Sequence, residues 1–227
     1  MPPTRAFGLA LRFPPAHPAV IAEVKRASPS VGPIADRDPA RQARAYEDGG
    51  AAAVSVLTEP RHFGGALADL RAVRLATSLP VLRKDFLVHP AQVLESRAAG
   101  ADAVLLIAAA LPGPELEAML AAAGDLGLDA LVEVHAEADL ARAVDAGADL
   151  IGVNARDLET LEVDGERALR LVRSVPPDRV AVLESGIASR EQVGRAVEAG
   201  ARAVLVGEHL MRAPDPAAAI RALLGAA

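Results

Sequence analysis

Residues 140–154 read Leu140-Ala141-Arg142-Ala143-Val144-Asp145-Ala146-Gly147-Ala148-Asp149-Leu150-Ile151-Gly152-Val153-Asn154. Leu140, Ala143, Val144 and Gly147 fall at i, i+3, i+4 and i+7, the stripe of an amphipathic helix. Gly147 can then take the left-handed conformation that ends a helix. Leu150–Val153 is a short, continuous apolar run of the kind buried on both faces of a parallel sheet. Helix end, tight turn and strand thus follow one another directly.

The same junction recurs as Gly49-Gly50-Ala51-Ala52, Gly100-Ala101-Asp102-Ala103 and Gly200-Ala201-Arg202-Ala203, roughly every 50 residues. That spacing is two βα units. Ser78-Leu79-Pro80, Gly127-Leu128-Asp129 and Pro176-Pro177-Asp178 fill the junctions between. Working outward, strand runs are expected at Val20–Lys25, Ala52–Leu57, Pro80–Arg83, Ala103–Ile107, Ala130–Val134, Leu150–Val153, Val180–Leu183 and Ala203–Val206. Helical stripes repeat at Val193, Ala196, Val197 and Gly200, and at Ala217, Ile220 and Leu224. Strict alternation with short loops means a parallel sheet, open or closed. Eight units with a quarter-length repeat favour closure, so the expected fold is a single-domain (β/α)8 TIM barrel spanning residues 1–227.

Composition agrees and excludes several classes. A length of 227 residues suits one barrel, which typically needs about 250. No apolar run approaches the ~18 residues of a membrane span. Residues 1–18 show neither a continuous apolar stretch nor a cleavage site, so no signal peptide is read. There are no cysteines, which removes disulfides and thiolate metal sites and permits a reducing cytoplasm, the expected location. A net charge of −6 speaks against nucleic acid, whose readers are usually basic. A small anionic ligand would instead need a local basic pocket. His17, His62, His89, His135 and His209 lack zinc-ligand spacing, so no metal is expected. Dinucleotide fingerprint, nucleophile elbow and Walker loop are all missing.

Barrel active sites form where strands end at their C-termini. Those ends carry Glu23-Val24-Lys25, Arg83-Lys84-Asp85, Glu133, Asn154-Ala155-Arg156, Glu184-Ser185-Gly186 and Gly207-Glu208-His209. Of 24 basic residues, only Lys25 and Lys84 are lysines, and both are in this set. Lysine can release a proton when buried, whereas arginine cannot. Glu23 and Lys25 are two apart and share a strand face. Burial lowers a lysine pKa and a neighbouring carboxylate raises it, so the pair can be tuned for proton transfer; it could equally be a structural ion pair. Ser185-Gly186 and Gly207 follow strands seven and eight, where barrels often bind phosphate with a short extra helix, here expected at 208–212. Glu208 should then turn its carboxylate away. His135 shares the strand face of Glu133 and is read as a satisfied rim residue.

Ile21-Ala22-Glu23-Val24-Lys25-Arg26-Ala27-Ser28-Pro29-Ser30 resembles the signature segment of indole-3-glycerol-phosphate synthases. Further matches are Leu57-Thr58-Glu59 with Phe63 and Gly65, Leu82-Arg83-Lys84-Asp85-Phe86, Leu131-Val132-Glu133-Val134-His135, Asn154-Ala155-Arg156-Asp157-Leu158, Glu184-Ser185-Gly186-Ile187 and Val206-Gly207-Glu208. The resemblance implies a carboxy-lyase of tryptophan biosynthesis acting on an anionic sugar phosphate, 1-(2-carboxyphenylamino)-1-deoxyribulose 5-phosphate, without a cofactor. By the matching positions, Lys84 is the general acid and Glu133 its acid–base partner in dehydration. Lys25 holds the substrate anion and can exchange the acid role, and Glu23 orients it. Asn154, Arg156 and Glu184 surround the reacting part. Ser28, Ser185, Gly186, Gly207 and Glu208 line the substrate and phosphate pocket. A monomer or weak homodimer is expected. Against the family pattern, the extension before the first strand (about residues 1–19) is short, Ala155 replaces a commonly polar residue, and His209 stands where a small residue is usual. The lysine argument alone also fits a Schiff-base aldolase, and the short extension fits a barrel that binds its ligand without turnover.

Overall fold

The computed structural model describes residues 3–157 and 160–226, so Leu158 of the Asn154–Leu158 motif lies outside the described residues. Eight parallel strands close into a barrel: β1 (Ala19–Val24), β4 (Ala53–Leu57), β5 (Val81–Lys84), β6 (Ala103–Ile107), β7 (Asp129–Val134), β8 (Leu150–Asn154), β9 (Val180–Glu184) and β10 (Ala203–Val206). β1 seals the ring by pairing with both β4 and β10. The two omitted numbers, β2 (Ala27–Ser28) and β3 (Gly32–Pro33), form a small antiparallel hairpin in the loop after β1, which sequence reading did not foresee.

Helices α2 (Pro39–Asp48), α3 (Leu67–Ala76), α4 (Pro90–Ala99), α5 (Glu115–Asp125), α6 (Glu137–Asp145), α7 (Gly165–Arg173), α8 (Arg190–Glu198) and α10 (Pro216–Leu224) follow successive barrel strands, with α9 (Glu208–Arg212) inserted after β10. The repeated glycines act as expected: Gly50, Gly100, Gly147 and Gly200 all have φ between 83° and 106°. On α10 the buried stripe is Pro216, Ile220 and Leu223 rather than Ala217 and Leu224, because Asp215 caps the helix and Pro216 opens it.

Alternation along the strands separates two cores. Outward residues such as Val54, Val56, Val132 and Ile151 pack under the helices. Inward residues Ile21, Ala53, Leu82, Leu105, Leu131, Val182 and Leu205 fill the barrel. The barrel floor is closed by α1 (Phe7–Arg12), whose Phe7 and Leu11 are fully buried against that inner core. Two buried-end carboxylates pin the segment there: Asp102 accepts from the Arg5 N–H at 2.7 Å and Asp129 from the Gly8 N–H at 2.8 Å. The N-terminal segment therefore lies at the end opposite the strand C-termini.

Candidate active site

Continuing the inward series up each strand changes its chemistry. After apolar layers come Glu23 on β1, Lys84 on β5, Glu133 on β7, Asn154 on β8 and Glu184 on β9, with Lys25 one residue past β1. These side chains line a single cavity of about 560 Å³ at the C-terminal mouth, together with Ser28, Arg156, Ser185, Gly186, Gly207 and Glu208. Every site residue read from the sequence is thus brought to one place.

Two ion-pair groups organise the cavity. Lys25 Nζ is 2.9 Å from Glu23 Oε1, and Ser55 Oγ donates to Glu23 Oε2 at 3.3 Å. Lys84 Nζ donates to Glu133 Oε2 at 2.8 Å and stands 3.0 Å from Glu184 Oε2. The Glu184 contact is off-axis: both buried Glu184 oxygens lack an aligned hydrogen-bond donor. Lys84 itself is held by its neighbour in the chain. Arg83 points outward and binds Thr58, Asp85, Glu95 and Ser96, fixing the end of β5.

One ammonium shared by buried carboxylates splits their proton affinities. For Lys84, burial opposes the charge, but Glu133, then Glu184 and Glu23, outweigh it and raise its pKa above the usual lysine range. For Glu133, burial is outweighed by Lys84, His135 and the hydrogen bonds from Lys84 and Asn154, so its pKa is lowered. For Glu184, burial comes first, repulsion from Glu133 and Glu23 adds to it, and Lys84 offsets only part; its pKa is pushed up to about 8. The resting cavity therefore holds an ammonium, one ionised carboxylate beside it and one carboxyl that keeps its proton near neutrality. Groups of opposite tendency within one cavity are the usual layout for acid–base work.

The opposite wall is built for close approach. Ser185 (φ 69°) and Gly186 (φ 75°) both adopt the left-handed region, and Ser185 Oγ donates to Asn154 Oδ1 at 2.8 Å. A non-glycine residue held there costs energy and is commonly found at functional sites. A Cβ on Gly207 would sit 2.5 Å from Glu23 Oε1 and 3.2 Å from Lys25 Nζ, so a side chain there would displace the Glu23–Lys25 pair. The expected short helix is α9, and Glu208 turns its carboxylate to Arg212 Nε at 3.0 Å.

The family model for indole-3-glycerol phosphate synthase matches residues 1–223. The chain belongs to the indole-3-glycerol phosphate synthase family. Among curated relatives, the indole-3-glycerol phosphate synthase of Nocardioides sp. is 57% identical over 214 residues, covering 94% of this chain and 82% of that one. That of Mycolicibacterium vanbaalenii is 56% identical over 209 residues, covering 92% and 77%. Among solved structures, 3-hexulose-6-phosphate synthase superposes with a TM-score of 0.72 at 15% identity, covering 91% of this chain and 98% of that one. A mutant tryptophan synthase alpha-subunit from Pyrococcus furiosus gives 0.71 at 16%, covering 92% and 99%. At those identities the superpositions show the barrel fold alone.

Three family departures can now be placed. Ala155 is buried in the outer core beside the cavity wall, and only its backbone joins the site, donating to Glu184 O at 2.9 Å. His209 lines the cavity. The segment before β1 lies on the barrel floor, as above. His135 is a correction: both its ring nitrogens are buried without a hydrogen-bond partner, and Nε2 stands 3.3 Å from Glu133 Oε1. Sequence reading gave no role to Phe63 and Phe86, which line the mouth with ring centroids 6.4 Å apart. Their signal was position: each follows a barrel strand in a chain with only four phenylalanines.

Proposed function

We propose that this cavity converts 1-(2-carboxyphenylamino)-1-deoxyribulose 5-phosphate to indole-3-glycerol phosphate, CO2 and water. The carrying observation is that the chain's two lysines meet three buried carboxylates in one cavity at the strand C-termini. Lys84, held as the ammonium, delivers its proton to the substrate ketone oxygen as the new ring bond forms. CO2 then leaves from the ring-closure carbon, and the electron pair of that bond restores neutrality. In the final step the hydroxyl departs as water with a proton from Lys84, while Glu133 takes the proton released on forming the indole double bond. Lys84 and Glu133 are 2.8 Å apart, so Glu133 can return its proton to Lys84; the other proton that Lys84 donates is replaced from solvent, because loss of the ionised carboxylate as CO2 consumes one proton overall. Each transfer is worth about 10²–10⁴-fold.

Lys25, oriented by Glu23, holds the substrate anion and can exchange the acid role with Lys84. Asn154, Arg156 and Glu184 surround the reacting part. Ser28, Ser185, Gly186, Gly207 and Glu208 frame the phosphate and the remaining substrate. The reaction is balanced without an oxidant or reductant. We place the protein in the cytoplasm, acting as a monomer or weak homodimer built as one domain. Among the described residues no helix is long and apolar enough to cross a membrane, which is compatible with that placement. Purified protein given the carboxyphenylamino substrate, with no cofactor added, should generate indole fluorescence. Folded protein that yields no signal above background would overturn the reading.

A further inference from the structure

His135 follows β7 two residues after Glu133, and its backbone is fastened on both sides. Its N–H donates to Asp139 Oδ2 at 3.3 Å, and its carbonyl accepts from the Arg167 guanidinium. Its ring is left facing Glu133: Nε2 stands 3.3 Å from Oε1, and neither ring nitrogen has another partner among the described residues. Lys84 already occupies Glu133 Oε2. The two oxygens of Glu133 are thus divided between the ammonium on one side and the imidazole on the other. His135 does not line the substrate cavity, so any effect on the reaction passes through Glu133.

We propose that His135 is a positioning residue for this reaction, its imidazolium holding Glu133 ionised and oriented so that the carboxylate can accept the proton released at dehydration. The inference rests on the synthase reading above. An opposite charge within about 4–6 Å favours the charged form of a carboxylate, and histidine changes charge between pH 5 and 8. The other charged groups around this pair are Lys84 on β5, Glu184 on β9, Asp139 with its partner Arg142 on α6, and Arg167 on α7. Lys84 is held as the ammonium by its carboxylate neighbours, and Glu184 is pushed up to about 8. His135 is therefore the ionisable side chain that faces the Glu133 oxygen left free by Lys84.

The test is the pH profile of kcat for the wild type, His135→Asn and His135→Gln, with folding checked by thermal unfolding. Both variants should move the acid limb upward by about one pH unit, because Glu133 loses its cation and gains proton affinity. KM should not change, since His135 does not touch the cavity. Superimposable acid limbs, or a raised KM with an unmoved limb, would overturn the proposal. A wild-type profile in His135→Gln alone would also overturn it, since glutamine keeps a donor but carries no charge. A second measurement needs no activity: the NMR titration of the His135 ring should shift its midpoint down by about one pH unit in Glu133→Gln. An unmoved midpoint counts against the pairing even if the wild type makes indole. An inactive wild type whose midpoint does move removes the synthase reading and leaves the pairing standing.

Discussion

Replacing Glu184 by Gln should stabilise this protein at alkaline pH far more than at acid pH. Glu184 is 1% exposed and shares Lys84 with Glu133. Burial, then repulsion by Glu133 and Glu23, push its pKa up to about 8 from an ordinary 4.5, with Lys84 offsetting part of the rise. Below pH 4.5 the carboxyl is protonated in both folded and unfolded chains and contributes nothing to pH dependence. Between 4.5 and 8 the unfolded chain has lost a proton that the folded chain still holds, so stability falls as pH rises. Above 8 the loss is complete, on the order of 5 kcal/mol across the window at about 1.4 kcal/mol per pH unit. Glutamine cannot ionise and escapes this loss. The attraction of the ionised carboxylate to Lys84 is already contained in the value of about 8 and is not counted again. The informative quantity is the change with pH. Urea denaturation at pH 5.5 and 8.0 should show the variant gaining about 3 kcal/mol on the wild type between the two conditions. Titration of groups remote from Lys84 is common to both proteins and cancels. A stability difference that is flat with pH would mean Glu184 is ionised throughout, and the division of roles between the two carboxylates would fall.

Lys84→Ala and Glu133→Gln should each lower turnover by at least about 10²-fold in the fluorescence assay; near-normal rates would remove that residue from proton transfer. Gly207→Ala places a methyl against Glu23 and Lys25 and should cost about 10²-fold in kcat/KM through misplaced groups; wild-type kinetics would show that the pair need not hold its position. Asp102→Ala strips the acceptor from the Arg5 and Val81 N–H groups and the partner from Arg74. It should cost about 3 kcal/mol by urea denaturation while kcat is unchanged, because Asp102 is at the far end of the barrel; a loss of kcat at full stability would contradict this. Phe7→Ala should cost about 3–5 kcal/mol by the same measurement, since α1 plugs the barrel floor.

The barrel was legible because its signals are local. Glycine after a helical stripe and a four- to six-residue apolar run are each readable within about fifteen residues, and eight such units leave little choice of fold. Glu23, Lys84, Glu133 and Glu184 could be assigned to the mouth because each stands at the C-terminal end of a strand run, and alternation put Glu23 and Lys25 on one face. What escaped depends on distance in the chain. The floor helix α1 is held by Asp102 and Asp129, about a hundred residues away. The role of His135 depends on which oxygen of Glu133 is already engaged by Lys84. The unequal proton affinities of Glu133 and Glu184 arise because β7 and β9 aim two carboxylates at one ammonium, a fact of barrel geometry. The hairpin β2–β3 is two residues per strand, too short for any periodic signal.

The most direct measurement is a crystal structure of the Glu133→Gln variant with the carboxyphenylamino substrate bound. The substrate ketone oxygen should be found within about 3 Å of Lys84 Nζ, with the phosphate against Ser185, Gly186 and Gly207. Substrate bound in the mouth with its ketone out of reach of both lysines, or its phosphate held elsewhere, would contradict the account.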